Sequence, residues 1–129
     1  MVDQLGPIGQ LSRIGGDIVA ATRWYREVLR LPYLFSSGDF AFFDCGGVRL
    51  FLSAGATTGG QSIIYFRVDD IQHTSQDLAS RGVEFINAPH RVHTHEDGTE
   101  EWMAFFKDLD GEPLALLCQV AAPNGNRVN

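Results

Sequence analysis

The sequence predicts an α+β chain built from two tandem β-α-β-β-β modules. Three internal echoes carry that expectation. Asp17-Ile18 and Asp70-Ile71 each follow a short apolar or alternating stretch and open a helix-like run. Ala41-Phe42-Phe43 returns as Ala104-Phe105-Phe106. Each then runs into a glycine turn, Gly46-Gly47 or Asp110-Gly111, and a short apolar strand, Val48–Leu52 or Leu114–Cys118. Self-similarity of this kind marks one supersecondary unit used twice.

The elements follow in order. Residues 8–14 alternate and read as a strand. Asp17 is an N-cap, its carboxylate able to accept from free amides of the first helical turn. Ile18, Ala21, Tyr25, Val28 and Leu29 then recur at helical spacing on one face, with Trp24 and Tyr25 read as core. Pro32 stops the helix. A short strand at 33–35 precedes a hairpin of 40–44 and 48–53, closed by Cys45-Gly46-Gly47, where glycine can take positive φ. In the second module residues 62–68 read as a strand. Asp70 caps a helix ending at Arg81-Gly82. Residues 83–86 read as a strand, and 102–107 with 114–119 as the last hairpin. The modules span about 8–53 and 62–120 of a single domain. A Gly/Thr/Ala-rich linker lies at 54–61, and a frayed tail at 121–129.

Composition narrows the function classes. The 129 residues carry ten Lys and Arg against sixteen Asp and Glu, a net charge of −6. The basic residues are scattered singly, so no basic face for nucleic acid is expected. An acidic balance suits a cationic small molecule, but it also serves solubility alone. The apolar runs, such as Leu114–Cys118, are too short to span a bilayer, so no membrane partner is expected. Residues 1–10 lack a basic segment followed by an apolar stretch. With Cys45 and Cys118 far apart and in no CxxC or zinc spacing, a reduced, cytoplasmic protein is expected, and a Cys45–Cys118 disulfide is left open.

Several stretches carry a resemblance to a known family. Asp17-Ile18 leads to Trp24-Tyr25-Arg26-Glu27-Val28-Leu29-Arg30-Leu31-Pro32. The others are Phe42–Leu50, Tyr65–Ile71 and Phe105-Phe106-Lys107-Asp108-Leu109-Asp110-Gly111. Together, over residues 8–120, they resemble the vicinal oxygen chelate superfamily, which includes glyoxalase I, bleomycin-resistance proteins and extradiol dioxygenases. The resemblance implies strongly curved mixed sheets forming a cup, with helices outside, and an isologous homodimer.

It also implies where a metal would sit. Metal-using members hold one divalent ion with a side chain from each of four strands. Counting from the capping aspartates and hairpin glycines, those positions are Gln10, Phe51, Ile63 and Ala115. Three of these side chains have no donor atom, so the resemblance points to a branch without the usual metal site and without a cofactor.

The resemblance also places the remaining candidates, whose residue types then suggest their roles. Gln10 and Ser12 would point into the cup as hydrogen-bonding groups. Phe51, Ile63 and Ala115 would give it an apolar floor, with Tyr65 and Trp102 adding aromatic surface for a flat ligand. His90, His93, His95 and Glu96 form the densest polar run, expected over the mouth of the cup. His93 and His95 share a side if extended. The run could contact a ligand, hold a metal with Glu96, or be a polar loop before the turn at 96–99. His73 reads as a surface residue.

Three functions stay open at this point. One is a metal-free binding protein, similar to bleomycin-resistance proteins, that sequesters a drug-like or aromatic metabolite. The second is a metal-dependent lyase, isomerase or dioxygenase with ligands not yet located. The third is a metal-free enzyme using His90, His93 or Tyr65 as general acid or base.

Overall fold

The computed structural model describes residues 5–56 and 60–122. The expected tail beyond residue 122 and linker residues 57–59 lie outside them. The backbone divides into two compact units between Gln61 and Ser62.

In the first unit, β1 (Gln10–Gly15) is followed by α1 (Ile18–Arg23) and then β2 (Tyr33–Ser37), β3 (Phe40–Cys45) and β4 (Val48–Ala54). The sheet order is β1-β4-β3-β2, with β1 parallel to β4 and the other pairs antiparallel. Asp17 caps α1 as expected, Oδ1 accepting from the amides of Val19 and Ala20 at 3.1 Å. Beyond Arg23 the helix widens into a π turn, Trp24–Val28, in which the Leu29 amide reaches back five residues to the Trp24 carbonyl. Arg30 then takes a left-handed conformation, φ 60°. Glycine would adopt it at lower cost.

Alternation along the strands divides the sheet into two faces. Ala41, Phe43, Leu50 and Leu52 are buried with Ala21 and Tyr25 of the helix. Trp24 is half-buried. Helix and sheet meet closely at Gly15, where a Cβ would stand 2.6 Å from that of Ala21. Arg13 is also buried here, donating through Nε to the Tyr25 hydroxyl at 3.1 Å. Gly46 and Gly47, both at positive φ, close the β3–β4 hairpin between the paired Cys45 and Val48. That is the geometry a two-residue turn on right-twisted strands needs.

The second unit runs β5 (Tyr65–Arg67), α2 (Ile71–Ser80), β6 (His90–Thr94), β7 (Glu100–Lys107) and β8 (Pro113–Val120). The order β5-β8-β7-β6 repeats the first sheet. Asp70 caps α2 through the His73 amide at 3.0 Å, and Gly82 ends it at φ 92°. Ala104, Phe106, Leu114, Leu116 and Cys118 are buried on the strands, with Ile71 and Leu78 of α2 also buried. Cys45 and Cys118 are both free thiols.

Two expectations about the second unit are corrected. The strand expected at 62–68 shrinks to three residues. Parallel register sets Tyr65 opposite Ala115, and Ala115 donates to the Ile64 carbonyl at 3.0 Å. Two residues earlier on β8 stands Pro113, which has no amide to continue the ladder. Ile63 therefore precedes the strand. The fourth strand is also displaced. Residues 83–86 contribute only a bridge, Phe85 with Phe106, flanked by the bonds Ile86 N to Phe105 O and Lys107 N to Glu84 O. Asn87 then substitutes its side-chain oxygen as the acceptor for the Phe105 amide at 3.0 Å. The edge strand is the histidine run itself, His90–Thr94, with an irregularity between Arg91 and His93. It is exposed throughout and polar except at Val92, as sheet edges that avoid further pairing tend to be.

Candidate functional site

Each unit has a sheet face turned away from its helix, and these open faces hold most of the expected site residues. In the first unit, register sets Gln10 beside Arg49 and Ser12 beside Phe51. Phe51 lies 5.1 Å from Phe42 and 4.9 Å from Phe40 between ring centres. Phe35 stacks on Phe42 at 4.5 Å with the rings inclined by 22°. Four phenylalanines thus form one continuous aromatic surface. Its outer members, Phe35 and Phe40, are 46% and 43% exposed.

Arg49 borders this surface. Its guanidinium carbon lies 5.2 Å from the Phe42 ring centre, and Nε donates to Gln10 Oε1 at 3.0 Å. Asp44, opposite Arg49 in register, instead accepts from the turn amide of Gly47 at 2.8 Å. Burial, reinforced by the Asp44 charge, pushes the neighbouring Cys45 thiol up from its ordinary range. That thiol is therefore a poor nucleophile at neutral pH.

The open face of the second unit is different. Tyr65 meets Phe105 edge-on at 5.8 Å, above an Ala115 that is fully buried. His93 and His95 do share a side, their rings edge to face at 4.6 Å. Glu96 is not their partner. His95 Nε2 contacts Glu101 Oε2 at 2.7 Å, and the same oxygen accepts from Gln119 Nε2 at 2.8 Å. The bond from His95, with help from Gln119, holds the Glu101 carboxyl below the usual carboxylate range. His90 lies apart from this cluster, with Nδ1 3.0 Å from the Ala88 carbonyl. His73 is exposed.

Trp102 does not stand on this face. It pairs with the buried Cys118 and alternates with Met103 and Glu101, which point to the other side. Its Nε1 donates to Glu100 Oε1 at 2.8 Å. With Asp69, Ile71, Cys118 and Val120 it lines a depression of about 320 Å³ beside the start of α2. A tryptophan placed in the cup from composition alone is thus assigned to the helix side by strand parity.

Sequence reasoning missed Arg49, Glu101 and Gln119. Parity could have found Arg49, which is two residues from Phe51 on the same strand face. Glu101 could have been reached by folding the 96–99 turn back on itself, since the His95 amide donates to the Thr99 carbonyl.

Two four-stranded sheets, each built β-α-β-β-β, define a glyoxalase-type fold, and comparison with known proteins agrees. The chain spans 92% of its length on a glyoxalase/bleomycin resistance protein/dioxygenase from Nocardioides, covering 87% of that chain with a TM-score of 0.71 at 18% identity. It matches a lactoylglutathione lyase from Agrobacterium tumefaciens over 90% of this chain and 96% of that one, with a TM-score of 0.69 at 19% identity. A curated relative, "Uncharacterized protein YraH" of Bacillus subtilis (strain 168), is 25% identical over 78% of this chain and 89% of its own. The family model described as Glyoxalase/Bleomycin resistance protein/Dioxygenase superfamily matches residues 7–116. The chain belongs to that superfamily.

The four positions that carry metal in metal-using members can now be tested as donors. Phe51 is packed against two other rings, and Ala115 is a buried methyl. Ile63 precedes its strand. Gln10 has the one oxygen, and that oxygen already accepts from a guanidinium. This set does not fit a divalent ion, which needs several oxygen or imidazole ligands converging on it. No group of three or more His, Cys, Asp or Glu able to hold a metal occurs elsewhere among the described residues. No helix among them is long and apolar enough to cross a membrane.

Proposed function

We propose that the chain is a metal-free small-molecule-binding protein, similar in kind to bleomycin-resistance proteins, and that the open face of its first unit receives a planar aromatic ligand. The observation that carries this reading is the continuous surface of Phe35, Phe42, Phe51 and Phe40. Aromatic rings stacked in a row offer large apolar area at fixed geometry, and stacking adds about 0.5–1.5 kcal/mol beyond area burial. A homodimer and a cytoplasmic setting belong to the same proposal, the first supported by family resemblance and the second by the free thiols.

The test is ligand-induced thermal stabilisation across a panel of aromatic drugs and metabolites. Binders should lose affinity when exposed Phe40 is replaced by Ser, with the melting profile of the free protein unchanged. A panel in which no aromatic compound stabilises the protein would remove this reading.

The His95–Glu101 contact favours a second reading, acid–base catalysis on the second unit. A carboxylate fixed by Gln119 orients an imidazole as a general base requires. That reading calls for turnover with a bell-shaped pH–rate profile, abolished by His95→Gln.

A further inference from the structure

We infer that the ligand of the first unit's open face is a planar aromatic anion, its acidic group received by Arg49. This names the ligand class for the binding reading above and rests on it. Arg49 is exposed, yet it is held in one pose by two contacts, the Gln10 amide oxygen on Nε and the Phe42 ring beneath the guanidinium. Its two terminal nitrogens make no hydrogen bond or ion pair among the described residues. A guanidinium fixed on one edge presents the rest of its planar fork to a carboxylate, and a stacked guanidinium loses less freedom on binding than a free one. The fork borders the aromatic surface, so a flat ring lying on the phenylalanines would bring a ring-bound carboxylate to it.

Two acidic groups of the first unit are engaged with backbone amides rather than with the fork. Asp44 is engaged with the Gly47 amide, and Asp17 caps α1. The charge of the chain as a whole misleads here. Residues 1–61 hold five arginines against five acidic residues, whereas residues 62–129 hold five basic residues against eleven acidic ones. The entire surplus of −6 therefore lies in the second unit. Beside the phenylalanines an anion meets the Arg49 fork, while the carboxylate across from it, Asp44, is turned to the Gly47 amide.

The test is calorimetric titration of the full chain with three probes of one shape: naphthoate, naphthamide and naphthylmethylammonium. Naphthoate should bind about tenfold more tightly than naphthamide, the scale of one charged hydrogen bond, and the ammonium should bind weakest. Raising the salt concentration should narrow the gap. Arg49→Gln should cost naphthoate about tenfold more than it costs naphthamide, closing the gap between the two. Arg49→Lys should restore part of the loss, because it keeps the charge and removes the fork. Gln10→Leu should weaken naphthoate selectively, as expected of a positioning residue. Equal affinities for the three probes, each still lowered by Phe40→Ser, would overturn the charge assignment and leave the aromatic reading standing. Tightest binding of the ammonium would do the same. Binding of none of them would overturn both.

Discussion

The two units share one plan, and one ladder position where they differ bears directly on the open face. In the first, the Arg49 amide donates to the Gly9 carbonyl at 2.9 Å, and β1 runs six residues. In the second, the residue two beyond the hairpin glycine is Pro113, and β5 runs three. The same substitution changes the open face. Position 49 supplies a guanidinium beside Gln10, whereas position 113 supplies neither a charge nor an amide. One unit presents a row of phenylalanines bordered by a cation, and the other a Tyr65–Phe105 pair together with the His95–Glu101 contact. Duplicated folds can diverge by such single exchanges, since a sheet transmits a side-chain change to one face only.

The comparison can be broken most strongly where the units are alike. Phe43 and Phe106 are both fully buried at the same place in the repeat. Replacing either by Ala should cost about 3–5 kcal/mol in urea unfolding. A small loss at one of them would show that the two cores are not equivalent. Gly15 comes next. The second unit has Val68 at the matching position, and only the first brings its helix close enough to exclude a Cβ. Gly15→Ala should cost about 1–3 kcal/mol through overpacking against Ala21.

Helix ends give a smaller effect of opposite sign in the two units. The first ends on Arg30 and the second on Gly82, both at positive φ. Arg30→Gly should raise stability by about 1 kcal/mol and Gly82→Ala should lower it by about 1–2 kcal/mol, the cost of a left-handed residue with a Cβ. Thermal melts of the two variants check this directly.

The smallest expected effect is in acid. The folded chain lowers the Glu101 carboxyl below its ordinary range, so the stability it contributes is fully present above that range. It is lost as pH falls through the lowered value, because the unfolded chain takes up the proton first. Glu101→Gln should therefore lose less stability than the parent over the acid limb. Parallel acid limbs would show that the His95 contact does not persist in solution.

How much of this was legible depended on range. Asp17, Asp70, the Gly46-Gly47 hairpin and the Gly82 stop were readable because caps and turns are set by neighbours in sequence. The three-residue β5 was readable in principle, since Pro113 could not extend a ladder. The edge strand His90–Thr94 was not readable from pattern, because exposure of every residue removes the alternation on which strand reading depends. The Gln10–Arg49 pair joins residues 39 apart, and only parallel register puts them side by side. Trp102 went to the wrong face because composition counts aromatics without assigning parity. The usual ligand positions were readable, and their chemistry, Gln10, Phe51, Ile63 and Ala115, points away from a divalent centre in both sequence and structure.

The most direct test is residue-resolved amide shift mapping by NMR with naphthoate. The account expects saturable shifts at Phe35, Phe40, Phe42, Arg49 and Phe51, and none at His93, His95 and Glu101. Shifts confined to the second unit's open face, or no saturable shift at all, would contradict it.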